Sequence, residues 1–447
     1  MINLYAILKP VMYTAKRAFF KNILITGKEN IPYGKPVIIA SNHPSSFMDP
    51  IFVGVTMGPQ IHFLARGDVF KTPFVRWVLG QINILPIFRK EDSNNNHEKN
   101  ELTYHLCADL FKQNKFIVIY PEGYCVQEKK LRPLKKGATR LAFFTMEKYN
   151  WDLDLHILPT GVNYSNPNRF QSDLVINYGK AIKISDYKEE YYQDKNKVNT
   201  ELTRILEDRM RDLLIIIDNR KLEPLADAVE KIYRKDIINQ HSINYKNKKD
   251  IFKLRKCIGK SINESAKTNT EELEALSQYS TNYFQNLEKN NLRDWLLENG
   301  EKKQNYLKEL VLFILFGPLF GIGLALNRFA FKYPHKIARK KVKLVEFYPS
   351  VLIGSGAIIF ALYFILLSIL LSLLLPSILY APIITLILIA LAFGTVPYYR
   401  NFKKLSGKIH FNQLLRKKSL ALKELFDQRR YISQFVKGIL NKHPLEF

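Results

Sequence analysis

Val37-Ile38-Ile39-Ala40-Ser41-Asn42-His43-Pro44-Ser45-Ser46-Phe47-Met48-Asp49-Pro50 is the stretch whose reading decides the fold. Four apolar residues, Val37 to Ala40, are bounded by turn formers, the pattern of a buried strand. That strand delivers His43 and Asp49 into the loop at its C-terminal end. In open α/β sheets, ligands bind outside those ends. Imidazole takes up a proton near neutral pH, and a carboxylate fixes its tautomer and stabilises the imidazolium. A His and an Asp on one loop are more often structural than catalytic, so the remaining chain has to supply the context.

Outward from this loop, residues 23–184 alternate strand-like and helix-like patterns. The strand candidates are Val37–Ala40, Ile61–Ala65, Asn83–Ile87, Phe116–Tyr120, Leu155–Leu158 and Leu174–Tyr178. Helical patterns fall near 50–57, 72–80, 98–113 and 136–149. Such alternation predicts an α/β domain over 23–197, with a central, mostly parallel sheet and flanking helices. Residues 1–22 read as an amphipathic helix suited to a membrane surface or to docking on the domain, with Pro10 as a kink or break. Residues 198–305 read as a helical connector packed on the α/β domain.

Residues 306–400 read as membrane. Leu310–Asn327 is uncharged but interrupted by Gly317-Pro318, Gly321 and Gly323. Residues 350–397 contain no Asp, Glu, Lys, Arg or His. They divide at Pro376 into spans 350–375 and 377–397, each long enough for a bilayer core of about 30 Å. The loop Arg328–Lys343 and the segment from Arg400 onward are rich in Lys and Arg, which places both on the cytoplasmic side. A complete crossing by 310–327 would then put the α/β domain outside. The expectation is therefore two full spans, a partial or re-entrant segment at 310–327, and a basic cytoplasmic helical tail over 401–447. The chain is read as an integral membrane protein with its catalytic domain on the cytoplasmic face.

The 447 residues carry a formal net charge of +26, which suits anionic membrane, phosphorylated substrates or nucleic acid. A hydrophobic content of 47% excludes a disordered chain. No nucleic-acid motif is present, and His62, His97, His105 and His156 lack paired metal-ligand spacing, so no metal site is expected. Cys107, Cys125 and Cys257 are read as reduced thiols. No cleavable signal peptide is evident.

Further blocks follow the opening loop. They are Phe63-Leu64-Ala65-Arg66-Gly67-Asp68, Leu85-Pro86-Ile87-Phe88-Arg89, Tyr120-Pro121-Glu122-Gly123 and Leu131-Arg132-Pro133-Leu134-Lys135-Lys136-Gly137. The last is Leu158-Pro159-Thr160-Gly161-Val162-Asn163-Tyr164. Each apolar run ends in polar or charged turn residues, which a parallel sheet can gather on one rim.

In their order these blocks resemble the PlsC-like glycerolipid acyltransferase superfamily, over roughly residues 20–184. The resemblance implies a thioester donor, acyl-CoA or acyl carrier protein, and a phosphate-bearing alcohol acceptor, with no further cofactor. It implies His43 as general base, Asp49 as its partner, Arg66 and Arg89 on the acceptor phosphate, and Glu122 and Gly123 at the acceptor. Two departures matter. Five residues separate His43 from Asp49, one more than the family usually has. Fungal glycerol-3-phosphate acyltransferases and some bacterial relatives have a similarly longer spacing, which predicts a small bulge and tilts the acceptor toward glycerol 3-phosphate, or dihydroxyacetone phosphate, over lysophosphatidate. Glu122-Gly123 continues into Tyr124-Cys125 instead of Thr-Arg, and Arg132 is the candidate substitute for the missing arginine. The reading from another class is a catalytically inactive basic scaffold that binds anionic lipid.

Overall fold

A computed structural model describes residues 4–88, 96–233, 236–237, 244 and 246–442. Its contacts divide the chain into two units, Met1–Ile215 with Lys341–Ile353, and Ile216–Lys340 with Gly354–Phe447.

The first unit is built on an eight-stranded sheet. In chain order the strands are β1 Asn22–Thr26, β2 Val37–Ser41, β3 Ile61–Arg66, β4 Ile84–Ile87, β5 Phe116–Ile119, β6 His156–Tyr164, β7 Asp173–Tyr178 and β8 Ile182–Lys183. They are arranged β1-β7-β6-β2-β5-β3-β4, with β8 also paired to β6. All pairs are parallel except β6 with β7 and β6 with β8. The sheet is thus mostly parallel, as the alternation predicts. Every residue of β2, β5 and β6 is buried. That is why these strands read as continuous apolar runs: a parallel sheet covered on both faces leaves no polar face to alternate with.

The helices of this unit are α1 Leu4–Phe19, α2 Met48–Thr56, α3 Pro73–Gln81, α4 Asn96–Lys112, α5 Gly137–Lys148, α6 Lys188–Gln193 and α7 Lys195–Arg211. α1 continues through Pro10, at the cost of the backbone bond that Ala6 O would otherwise accept. It buries Lys16 and Phe19 and leaves Ile7, Leu8 and Val11 exposed. The last strand of the domain core is longer than its apolar run. β6 does not stop at Leu158 but continues through Pro159 to Tyr164. Pro159 still contributes its carbonyl, which accepts from the Gly179 N–H at 2.8 Å. Expected as part of a connector, α7 instead belongs to this first unit, with Leu202, Leu206 and Met210 buried.

The second unit is helical: α8 Glu223–Ile232, α9 Lys248–Lys289 with a non-helical Asn269, α10 Asp294–Leu297, α11 Leu307–Lys341, α12 Tyr348–Leu374, α13 Tyr380–Arg416 and α14 Leu420–Lys442. One buried cluster joins Leu225, Leu254, Tyr283 and Leu296 with Phe411, Leu425, Ile432 and Val436. Residues that precede the apolar helices therefore share a core with residues that follow them. Arg429 locks this core by donating to Asp294 at 2.9 Å, where the Tyr283 hydroxyl also donates at 2.7 Å.

Among the described residues, three helices are long and apolar enough to cross a membrane: Leu307–Lys341, Val345–Leu374 and Tyr380–Arg416. The stretch 310–327 is no interrupted segment. It lies within the continuous α11, which keeps Pro318 and Pro334 inside it. In an apolar setting helical hydrogen bonding is the only way to satisfy the backbone, and a proline costs it one bond. The first half of α11 meets α13, with Phe313 on Tyr398 at 5.7 Å between ring centroids. Its second half meets α12, where the Tyr363 hydroxyl donates to Leu326 O at 2.9 Å.

Candidate active site

β2 ends at Ser41, and Asn42 anchors the exit. Its amide donates to Val162 O at 2.9 Å and accepts from Val162 N at 2.7 Å, tying the loop to β6. Pro44 biases His43 to an extended backbone. The chain then turns sharply into α2, whose second residue is Asp49. Ser46 sits at φ 25°. A serine in the left-handed range carries a local backbone cost.

His43 Nδ1 lies 2.8 Å from Asp49 Oδ2. An ionised carboxylate only accepts, so Nδ1 carries the hydrogen and Nε2 keeps its lone pair. Asp49 is wholly buried and fully engaged. Oδ2 also accepts from Ser45 N at 2.7 Å, and Oδ1 accepts from the Tyr164 hydroxyl at 2.7 Å. Tyr120 stacks on the imidazole, with centroids 3.9 Å apart and planes 15° apart. Neither tyrosine is singled out by the sequence pattern. Tyr164 lies at the end of β6, past the proline at which the apolar run stops. The signal available was its place in a block whose turn falls on the same sheet rim.

Glu122 is buried, and both its oxygens are taken by backbone donors. Oε1 accepts from His43 N and Oε2 from Arg132 N, each at 3.0 Å. Burial raises its carboxyl above the usual range, and those two N–H groups pull it part of the way back. Glu122 thus fastens the His43 backbone to the loop that carries Arg132. Gly123 has φ 75°, a conformation that favours glycine.

The arginines are arranged differently. Arg66 forks onto Asp68 at 3.1 and 2.7 Å, on an exposed surface. Arg132 donates to Glu128 Oε2 at 3.2 Å. Arg89 lies outside the described residues. The structure brings His43, Asp49 and Glu122 together and joins Arg132 to them through its backbone. It leaves Arg66 paired on its own turn.

Cys125 lies beside the loop and accepts from Ser46 N at 2.9 Å. Burial, then the Asp49 charge, pushes its thiol up to about 12. A neutral thiol is a poor nucleophile. A base with a lone pair, a buried carboxylate behind it and an open side toward the rim can deprotonate a hydroxyl.

Residues 22–163 match the Acyltransferase family. Over 119 residues the chain is 28% identical to the chloroplastic 1-acyl-sn-glycerol-3-phosphate acyltransferase BAT2 of Brassica napus, covering 26% of this chain and 33% of that protein. Over 162 residues it is 28% identical to a 1-acyl-sn-glycerol-3-phosphate acyltransferase of Borreliella burgdorferi, covering 36% of this chain and 59% of that one. Glycerol-3-phosphate O-acyltransferase 1 of Saccharomyces cerevisiae is 36% identical over 81 residues, covering 18% of this chain and 10% of the yeast protein. The chain thus spans about a third of the length of the Brassica relative.

Proposed function

Taking as premise that residues 22–163 form a domain of the acyltransferase family, we propose that the chain moves an acyl group from a thioester, acyl-CoA or acyl carrier protein, to the hydroxyl of glycerol 3-phosphate. The observation that carries this reading is the His43 Nδ1 to Asp49 Oδ2 bond of 2.8 Å at the C-terminal end of β2. His43 Nε2 removes the proton from the acceptor hydroxyl while its oxygen attacks the thioester carbonyl. The tetrahedral intermediate collapses, the carbon–sulfur bond breaks, and the leaving thiolate takes the proton back from the imidazolium. The thioester is already activated, so no acyl-enzyme is required. Asp49 stabilises the imidazolium, with Tyr164 and Ser45 N holding the carboxylate in register. Arg66, Arg89 and Arg132 bind the acceptor phosphate, because a guanidinium matches phosphate oxygens in bidentate fashion.

The longer His–Asp spacing and the 36% identity to the yeast glycerol-3-phosphate enzyme support glycerol 3-phosphate. The printed activity of the Brassica and Borreliella relatives favours a second reading with lysophosphatidate as acceptor. Purified protein supplied with labelled acyl-CoA or acyl carrier protein and each acceptor separates the two. Transfer that persists at the wild-type rate in His43→Ala would sink both and leave the lipid-binding scaffold.

For the membrane region we read α12 and α13 as the two full crossings and α11 as beginning and ending on one face; the buried core shared by residues before α11 and after α13 supports an even number of crossings between them. The basic residues of 328–343 and 400–408 support the cytoplasm as the face that carries them. A cysteine introduced at Lys336 is expected to label from the same side as one at Lys423. Labelling from opposite sides would overturn this topology.

A further inference from the structure

The loop between His43 and Asp49 does not hold itself. Phe47 occupies the N-cap position of α2 and offers no side-chain acceptor, although Ser, Thr, Asp or Asn normally stand there. Ser45 and Ser46 lie just upstream, yet Ser45 N is committed to Asp49 and Ser46 has a left-handed backbone. Three consecutive residues are instead held from elsewhere in the fold. Ser46 N donates to Cys125 Sγ at 2.9 Å. The Phe47 ring packs edge to face on Phe347, with centroids 5.9 Å apart. Met48 N donates to Ser350 Oγ at 3.0 Å while also reaching Ser45 O at 2.9 Å.

Phe347 and Ser350 both come from the chain between the apolar helices. Val345–Phe347 is a single 3-10 turn, and Ser350 lies in the first turn of α12. Glu346 lies close enough to Cys125 to add, behind burial and Asp49, to the rise of its thiol.

We infer that Ser350 is a positioning residue for the His43–Asp49 pair, acting as a helix cap supplied in trans, and that through it the seat of α12 is coupled to the geometry of the base. Met48 and Asp49 are the first two residues of α2. An anchored Met48 N–H fixes where the helix starts and therefore where the Asp49 carboxylate points. Without that anchor the strained Ser46 can relax. Asp49 then loses alignment with His43, while the acceptor-binding arginines are untouched.

This inference rests on the reading of His43 as base, and the test keeps the two apart. Ser350→Ala and Ser350→Thr are assayed in nanodiscs beside wild type and His43→Ala. Ser350→Ala is expected to lower kcat by about fivefold, in line with a lost helix cap, with KM for the acceptor unchanged. Ser350→Thr keeps the hydroxyl and is expected to restore kcat. An inactive His43→Ala beside a wild-type rate in Ser350→Ala would overturn this inference alone. A fully active His43→Ala would overturn the underlying reading. A loss in Ser350→Ala that threonine does not restore would mark Ser350 as a packing residue and also overturn it. Should Ser350→Ala fail to accumulate, the pair F47C/F347C supplies a second measurement. A short bis-thiol crosslinker is expected to join the peptides carrying positions 47 and 347 with activity retained, and the absence of that product would count against the docked segment.

Discussion

The His43–Asp49 pair and the Arg66 turn are built in opposite ways. Asp49 is wholly buried and all its acceptor positions face donors of the protein: His43, Ser45 N and Tyr164. Arg66 stands half in solvent and pairs with Asp68 two residues along its own turn. The first arrangement is preorganised, so nothing has to move when a proton is transferred. The second is an exposed ion pair worth no more than about 1 kcal/mol, which a dianionic phosphate can displace at small cost. The difference teaches that, on the proposed reading, the domain would fix the geometry of proton transfer in advance and leave the anion site to be completed by substrate.

The contrast can be broken most severely at the carboxylate. Asp49→Asn keeps the shape and removes the charge and the tautomer control, and kcat is expected to fall about 10²–10⁴-fold with little change in acceptor KM, read in steady-state acyl transfer. Arg66→Ala should show the reverse pattern, with KM for glycerol 3-phosphate raised on the order of tenfold and kcat held, as befits a charge-assisted phosphate contact. A fall in kcat alone would move Arg66 out of ground-state binding. Tyr164→Phe removes one hydrogen bond to Asp49, and kcat is expected to fall by about fivefold. Asp68→Asn should lower KM about two- to threefold by freeing Arg66, and an unchanged KM would mean that Asp68 does not compete with substrate.

The smallest effect concerns Glu122 and pH. Burial raises its carboxyl above the usual 4.5. Above 4.5 the folded chain therefore keeps the proton that the unfolded chain has released. Stability of the α/β unit falls as pH rises from near 4.5 through the folded value, because the native state binds more protons in that window. Thermal unfolding in detergent across that window should show the slope in wild type and a flatter profile in Glu122→Gln.

Much of this was legible in one dimension. The continuous apolar runs of β2 and β5 announced a sheet covered on both faces, and β2 led directly to His43 and Asp49. The irregular spacing marked this loop as unusual, and Ser46 within it has φ 25°. Other parts were not legible. Tyr164 is 115 residues from Asp49, and Ser350 is 302 residues from Met48. Neither separation leaves a trace in local periodicity. Likewise Gly/Pro interruptions made 310–327 read as broken, while α11 is continuous.

By itself the sequence determined the alternation of strands and helices, the delivery of His43 and Asp49 to the end of β2, the basic excess and the apolar helices. Those are properties of short-range patterning: which faces are apolar, where turns fall, what charge flanks a span. Only the tertiary structure decided what surrounds the base, because a buried carboxylate must find donors wherever the fold brings them. It brought Tyr164 from the end of β6, the Glu122 clamp from the end of β5, and Ser350 from the head of an apolar helix to hold the turn between His43 and Asp49.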